Sequence, residues 1–324
     1  LRRRFPAFAW AWFAYLVILA PVSGLAQSGT QLVAERYSHL ACVPFALLAG
    51  AGLAAVALRS RFLAWGALTL VAAACAWRTH DYERAWHDSR SLWAHALAHD
   101  PEHDTAFGNL AALELETAQT LKDPSRAWDT MLLANQYAER SVELRPDLPR
   151  YLNLAATLIG LGDLRAEGAT ERFERAAWVA VQAREIARTR SIHFETRWYL
   201  VLVVALDRVN HWDDVVTAGE EALREWPSGP HAPTNEELNL RRMTAKGFSY
   251  AGRTSEAVAL MEATAKLAPQ EVLVWLDLSR AADKAGDAAR AREAAREGLA
   301  LADEKFGPNA ARKPWYAELV ERAR

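Results

Sequence analysis

Cysteine is scarce in this 324-residue chain: Cys42 and Cys75 are the only two, and both fall in an apolar N-terminal stretch. No disulfide framework can be drawn for the rest of the chain, and no C-x-x-C spacing is present for a metal or a redox pair. A G-x-S-x-G nucleophile turn, a phosphate-cradling P-loop and a dinucleotide glycine fingerprint are missing too, which removes the common motif-bearing enzyme classes and implies no cofactor. There is no excess of charge of one sign. Charged residues are 24% of the chain and the net charge is −2, so nothing points to nucleic acid as a partner.

Charge is missing locally as well. From Phe5 to Ala34 there is no Asp, Glu, Lys or Arg, whereas from Asp81 onward nearly every block of ten carries several. Three apolar runs stand out, at about 5–22, 40–58 and 62–77. A helix rising about 1.5 Å per residue needs roughly 17–25 residues to cross the hydrocarbon. The first two runs meet that length. The third is short, and it gains reach if Arg59, Arg61 and Arg78 snorkel toward the headgroups. Trp10, Trp12, Trp65 and Trp77 sit near run ends, where indole favours the interface. These features predict a transmembrane region over residues 1–80.

Arg2, Arg3 and Arg4 before the first run, with Gly24-Leu25-Ala26 after it, also fit a secretory signal with a cleavage site, although the run exceeds the usual apolar region of about 7–15 residues. The chain opens on Leu1 rather than Met, as a fragment, a processed product or an unusual start would. The positive-inside rule places Arg2–Arg4 and the Arg59-Ser60-Arg61 turn in the cytoplasm, so everything beyond Arg78 is expected on the extracytoplasmic side of an inner or plasma membrane.

The remainder, 81–324, repeats. Ala251-Gly252-Arg253-Thr254-Ser255-Glu256-Ala257 matches Ala285-Gly286-Asp287-Ala288-Ala289-Arg290-Ala291, and the two glycines are 34 residues apart, the tetratricopeptide period. The small residue–Gly pair ends a first helix, and the Ala five residues later allows close packing of the second. Pro269 lies 17 residues past Gly252 and stops that second helix. Pro101 and Pro146 end similar runs. First-helix openings recur as Phe107-Gly108-Asn109-Leu110-Ala111, Tyr151-Leu152-Asn153-Leu154-Ala155 and Trp275-Leu276-Asp277-Leu278-Ser279, with insertions near 121–127 and 164–170. The Pro- and Gly-rich Pro227–Thr234 stretch is expected to be a loop. The predicted fold class is therefore all-α: three transmembrane helices, then a tetratricopeptide-type (TPR) α-solenoid whose first helices line a concave face. A closed helical bundle is the alternative, and the recurring turn signals argue against it.

Pro21-Val22-Ser23-Gly24-Leu25, then Ala34-Glu35-Arg36-Tyr37-Ser38-His39-Leu40, two further membrane runs, and Ser91-Leu92-Trp93-Ala94-His95-Ala96-Leu97 together resemble the C-terminal part of membrane proteins that fuse a polytopic glycosyltransferase-like core to tetratricopeptide repeats. Their eukaryotic relatives are transmembrane and tetratricopeptide O-mannosyltransferases. The resemblance implies a chain that recruits an acceptor polypeptide to a transferase using a polyprenol-phosphate sugar, so a lipid-linked sugar joins the bilayer and a protein or peptide among the expected partners. The catalytic acid of that architecture belongs to an earlier membrane loop that this sequence does not contain. No catalytic residue is therefore assigned, and the chain is expected to be a scaffold rather than an enzyme. Glu35 and Arg36 are the charged residues of the loop between the first two runs: Arg36 can meet a lipid phosphate, or the pair can anchor a helix end.

Asn109, Asn153 and Asp277 share one first-helix position that faces the groove in such arrays, so they are the candidate peptide-binding residues. An Asn amide pairs with both N–H and C=O of an extended peptide, and it can equally bond helix to helix. His95 and His99 lie one turn apart with His103 and His87 nearby, but Pro101 interrupts the set, so no metal site is expected. Glu220-Glu221 reads as a solvated helix face. The tryptophans of the repeat part, Trp86, Trp93, Trp128, Trp178, Trp198, Trp212 and Trp275, read as packing residues rather than carbohydrate contacts.

Overall fold

A computed structural model describes residues 6–22, 39–224, 226 and 231–324. The described residues are helical with no strand, and the chain divides into two compact units, Leu1–His87 and Asp88–Arg324.

In the first unit, α1 spans Pro6–Leu19, α2 Val43–Arg59 and α3 Arg61–Glu83. α1 is shorter than its apolar run. Pro21 lacks an N–H and disfavours helical geometry in Ala20, so the α-helix gives way to a 3-10 turn over Ala20–Val22. Its 14 residues cover about 21 Å, less than a hydrocarbon core of about 30 Å. Two helices, His39–Arg59 and Arg61–Trp86, are long and apolar enough to cross a membrane, where the sequence suggested three. α3 runs past the expected end at Trp77 because the polar Arg78–Glu83 segment still forms helix, with Arg78 and Asp81 paired at 3.7 Å one turn apart. Ser60 closes α2 in an extended conformation and caps α3, its Oγ accepting from Leu63 N–H at 3.4 Å. Phe45 of α2 meets Trp12 and Tyr15 of α1 edge-on at 5.3 and 5.6 Å between centroids. Only 6% of each spanning window is buried within the protein.

The second unit is a succession of helix hairpins. α4 (Ser89–His99) packs on α5 (Asp104–Thr120), and α5 pairs with α6 (Pro124–Leu144). The next pairs are α7 (Leu148–Leu164) with α8 (Ala169–Thr189), α9 (Thr196–Arg208) with α10 (Trp212–Leu223), α11 (Asn235–Tyr250) with α12 (Thr254–Leu267) and α13 (Val272–Lys284) with α14 (Ala288–Phe306). α15 (Tyr316–Ala323) closes the end against α14.

The starts are written in the sequence: Asp88, Asp123, Asp147, Thr234 and Asp287 each accept from the first-turn backbone as N-caps. The turns are written too. Gly252 and Gly286 adopt φ of 81° and 82°, and a Cβ there would meet nothing within 4 Å. The left-handed backbone, not lack of room, therefore selects glycine. Gly219 is the opposite case: a Cβ on it would fall 2.0 Å from Thr244 Oγ1 across the α10–α11 contact. Of the Pro227–Thr234 loop, residues 231–234 are described and are not helical.

The core is a ribbon running between hairpins, not a single centre. Ala176, Ala180 and Ala183 of α8 face Leu154 and Leu158 of α7, and Leu202 and Leu206 of α9 continue the layer. Val216, Met261 and Leu278 form the next segment, and Leu276, Ala302 and Leu319 the last. Alanine dominates the second helices at these positions, so helix pairs approach closely.

Candidate functional site

Successive first helices touch: α5 with α7, α7 with α9, α9 with α11 and α11 with α13. Successive second helices are spanned mainly by long side chains. Helices crowd on the inside of a curve and splay on its outside, so α5, α7, α9, α11 and α13 form the inner ribbon.

Every junction of that ribbon carries an ion pair. Arg150 of α7 reaches Asp104 of α5 at 2.9 Å and also pairs with Asp147. Arg208 of α9 makes a two-pronged bond to Asp163 of α7, both contacts at 3.0 Å. Lys246 of α11 sits 2.7 Å from the buried Asp207 of α9. Arg242 of α11 meets Asp277 of α13 at 2.5 Å. Arg280 of α13 holds Glu318 of α15 at 2.8 Å, with Arg322 to Asp283 at 3.1 Å beside it. The second helices carry a parallel set: Arg175–Glu139 at 2.8 Å, Arg184–Glu221 at 2.6 Å, Arg253–Glu220 at 3.1 Å and Arg290–Glu262 at 3.0 Å. Glu220 and Glu221 thus bridge α10 to its two neighbours rather than forming a solvated face. Two-pronged and charge-assisted contacts of this kind are directional, so they fix the rotation between hairpins as well as adding stability.

The carboxylates record these contacts in their acidity. Burial alone would raise Asp104, but the Thr105 hydroxyl and the charges of Arg150 and Arg145 outweigh it and hold the carboxyl below its ordinary value. The hydrogen bond from Arg280 brings Glu318 down to about 2, against an opposing contribution from burial.

The three candidate groove residues all lie on first helices, but in different roles. Asn109 is exposed on α5, and its amide donates one turn back to Thr105 O at 2.8 Å. Asn153 of α7 donates to Gly108 O of α5 at 3.2 Å, a helix-to-helix bond that places it beside Asn109. Asp277 is held between Arg242 and Arg280. The amide row does not continue through the ribbon, because the positions nine residues before the α9 and α11 turn residues are Val201 and Met243. Uncovered along α5, α7 and α9 are the exposed Ala112 and the half-buried Ala156, Val201 and Val204, with the exposed Glu116 and Arg197 one turn away on the same helix faces. Along α11 and α13 they are Lys246, Tyr250, Arg280 and Lys284.

Glu35 and Arg36 lie outside the described residues, as do most of the loop residues that carry the glycosyltransferase resemblance. His99 turns its Nδ1 to the His95 carbonyl at 2.9 Å, and His103 caps α5 through Nδ1 at 3.2 Å from Ala106 N. Packing does not account for every tryptophan: Trp178 is 61% and Trp86 60% exposed. Trp128 instead carries Arg165 over its ring at 3.9 Å. The charged rungs escaped the sequence reading, although one signal was there. Arg242 and Asp277 are 35 residues apart and Arg280 and Glu318 are 38, close to one repeat.

The fold and ribbon define a tandem helix-hairpin array. No protein-family model matches the sequence, and no curated protein matches it. Among solved structures the chain is similar to YrrB, described as a TPR protein with an unusual peptide-binding site, at 13% identity over 68% of this chain and 98% of that one, with a TM-score of 0.46. It is also similar to the TPR2AB domain of yeast Sti1 in its pHSP90 complex, at 13% identity, 67% and 99% coverage and a TM-score of 0.27. A third is yeast Tom70, at 15% identity, 72% and 58% coverage and a TM-score of 0.29.

Proposed function

We propose that this chain is a membrane-anchored repeat scaffold whose inner ribbon holds an extended segment of a partner protein on the extracytoplasmic side. The observation that carries the binding role is the uncovered strip of the first helices. Ala112 and Ala156 leave backbone-level access, and Val201 and Val204 supply an apolar floor. Asn109 offers an amide to a main chain lying across it, and the ion pairs on either side are already satisfied within the array. An extended chain suits such a strip because its backbone needs hydrogen-bond partners and its side chains need only modest room.

Anchoring is supported by the exposed apolar faces of α2 and α3, which water penalises and hydrocarbon does not. Sidedness is supported by Arg59 and Arg61 at the α2–α3 turn. Single cysteines at Ser60 and Ser255, in a chain lacking Cys42 and Cys75, test it: an impermeant reagent on intact cells is expected to label Ser255→Cys and spare Ser60→Cys. The reverse pattern puts the repeats in the cytoplasm. For the binding role, a photo-crosslinking residue at Ala112 or Ala156 should trap polypeptide adducts that the same residue at Arg188, on a second helix, does not. Equal trapping at all three sites removes the ribbon as the binding surface.

A further inference from the structure

The uncovered positions of the inner ribbon fall in rows that cross it from helix to helix. Asn109, Asn153, Val201, Met243 and Asp277 form one row, and seven residues further along each helix, about two turns on the same face, stand Glu116, Gly160, Arg208, Tyr250 and Lys284. The last three lie two places before the left-handed turn residues Asn210, Gly252 and Gly286, so this second row follows the turn edge of the array. Its charges are not all matched. Arg208 is held by Asp163 through two contacts at 3.0 Å. Glu116 at the α5 end and Lys284 at the α13 end are both exposed, and neither enters an ion pair among the described residues. Lys284 rests over the Tyr250 ring at 2.9 Å, which keeps its ammonium on the row. The neighbouring rows are matched internally: Lys246 by Asp207 at 2.7 Å, Arg197 by Glu195 at 2.8 Å, and Asp277 and Arg280 by each other, with Arg242 and Glu318 on either side.

We propose that the inner ribbon selects an extended polypeptide segment of bipolar charge, with a lysine or arginine at its α5 end and an aspartate or glutamate at its α13 end. The inference rests on the peptide-binding role of the ribbon and adds the chemistry of the ligand. Such a segment sets a cation against Glu116 and an anion against Lys284, the two row charges that the array leaves unmatched. A segment with like charges at both ends meets repulsion at one of them, and repulsion discriminates between partners as attraction does. Between the ends the matched pairs offer no net charge to either sign, and Ala112, Ala156 and Val204 leave room for side chains of modest size. The helix spacing fixes the separation of the two ligand charges. Successive first helices touch from α5 through α7, α9 and α11 to α13; at about 8–10 Å between axes, those four steps cover ~32–40 Å. An extended chain rising about 3.3 Å per residue crosses that distance in roughly 10–12 residues. Charges at the ends of a docking surface govern which segment is accepted more than how tightly it is held.

The test is selection from a display library of random peptides, about 16 residues long so that they span the ribbon, on the full chain in lipid nanodiscs. Selected peptides are expected to carry a basic and an acidic residue roughly 10–12 positions apart. A synthetic peptide of selected sequence should bind Glu116→Lys and Lys284→Glu each about threefold or more weakly than the unaltered chain, and high salt should shrink the difference. Compensating changes in the ligand keep the test free of folding effects: Glu116→Lys should prefer the same peptide with glutamate in place of its basic residue, and Lys284→Glu the same peptide with lysine in place of its acidic one. Selected peptides without the charge pair, or preferences that neither reversal moves, overturn this proposal and leave the ribbon's peptide-binding role standing. A chain that selects no peptide at all overturns both.

Discussion

In the N-terminal unit Leu47, Leu58, Phe62 and Trp77 point away from the protein, each at least 70% exposed, whereas in the repeat unit Leu202, Leu206, Leu240 and Leu278 are sealed in. Residues of the same kind face opposite ways because the two units solve different solvation problems. A helix apolar all round has no polar face to show to water, so two or three such helices cannot cover one another. The repeat helices have one apolar stripe each, and a neighbouring hairpin on either side is enough to cover it. The contrast teaches that helix content alone says little. What distinguishes the units is where charge interrupts the apolar pattern.

The largest expected effect separates the units physically. Residues 88–324 alone should remain in solution and keep their helical circular dichroism, while the full chain should sediment with membranes and resist carbonate extraction. A full chain that stays in the supernatant would undo the comparison. Core truncation comes next. Leu202→Ala or Leu206→Ala should cost about 2–5 kcal/mol in urea unfolding of the repeat unit, while Leu47→Ala should leave that midpoint unmoved. Overpacking should follow: Gly219→Val, where a Cβ already falls against Thr244, should destabilise by about 1–3 kcal/mol. A rung of the inner ladder is smaller again. Asp277→Asn, which leaves Arg242 and Arg280 without their shared carboxylate, should cost about 0.5–1.5 kcal/mol, and the same change at the exposed Asp213 should cost almost nothing.

The smallest effect is on acid stability. Glu318 is held at about 2 in the folded chain, against an ordinary value of 4.5. A carboxyl depressed on folding contributes its stability above the unfolded value and loses it as pH falls through the folded one. Its share should therefore fade between about pH 4.5 and about pH 2, and Arg280→Gln should flatten the urea midpoint across that window. A window that Arg280→Gln leaves unchanged would detach Glu318 from the ladder.

Much of the repeat unit was legible. Gly252 and Gly286 announce their turns because a left-handed backbone excludes most other residues. Ala257 and Ala291 announce close packing and are buried. The α9–α10 turn was harder to read, since Asn210 takes the left-handed place without being glycine. The candidate groove residues were only partly legible. Spacing put Asn109, Asn153 and Asp277 on the same kind of helix position, but not what each would touch. Whether an amide faces a ligand or the Gly108 carbonyl depends on how far apart α5 and α7 sit.

The sequence by itself determined the apolar runs, the caps and the repeat period, because these depend on neighbours a few residues away and on backbone geometry. Only the tertiary structure decided which charges pair across hairpins, that the amide row breaks at Val201 and Met243, and that Trp212 and Tyr250 stack. Those contacts join residues about one repeat apart in the chain, and their geometry is set by the rotation between hairpins, which side-chain packing fixes and no local pattern encodes.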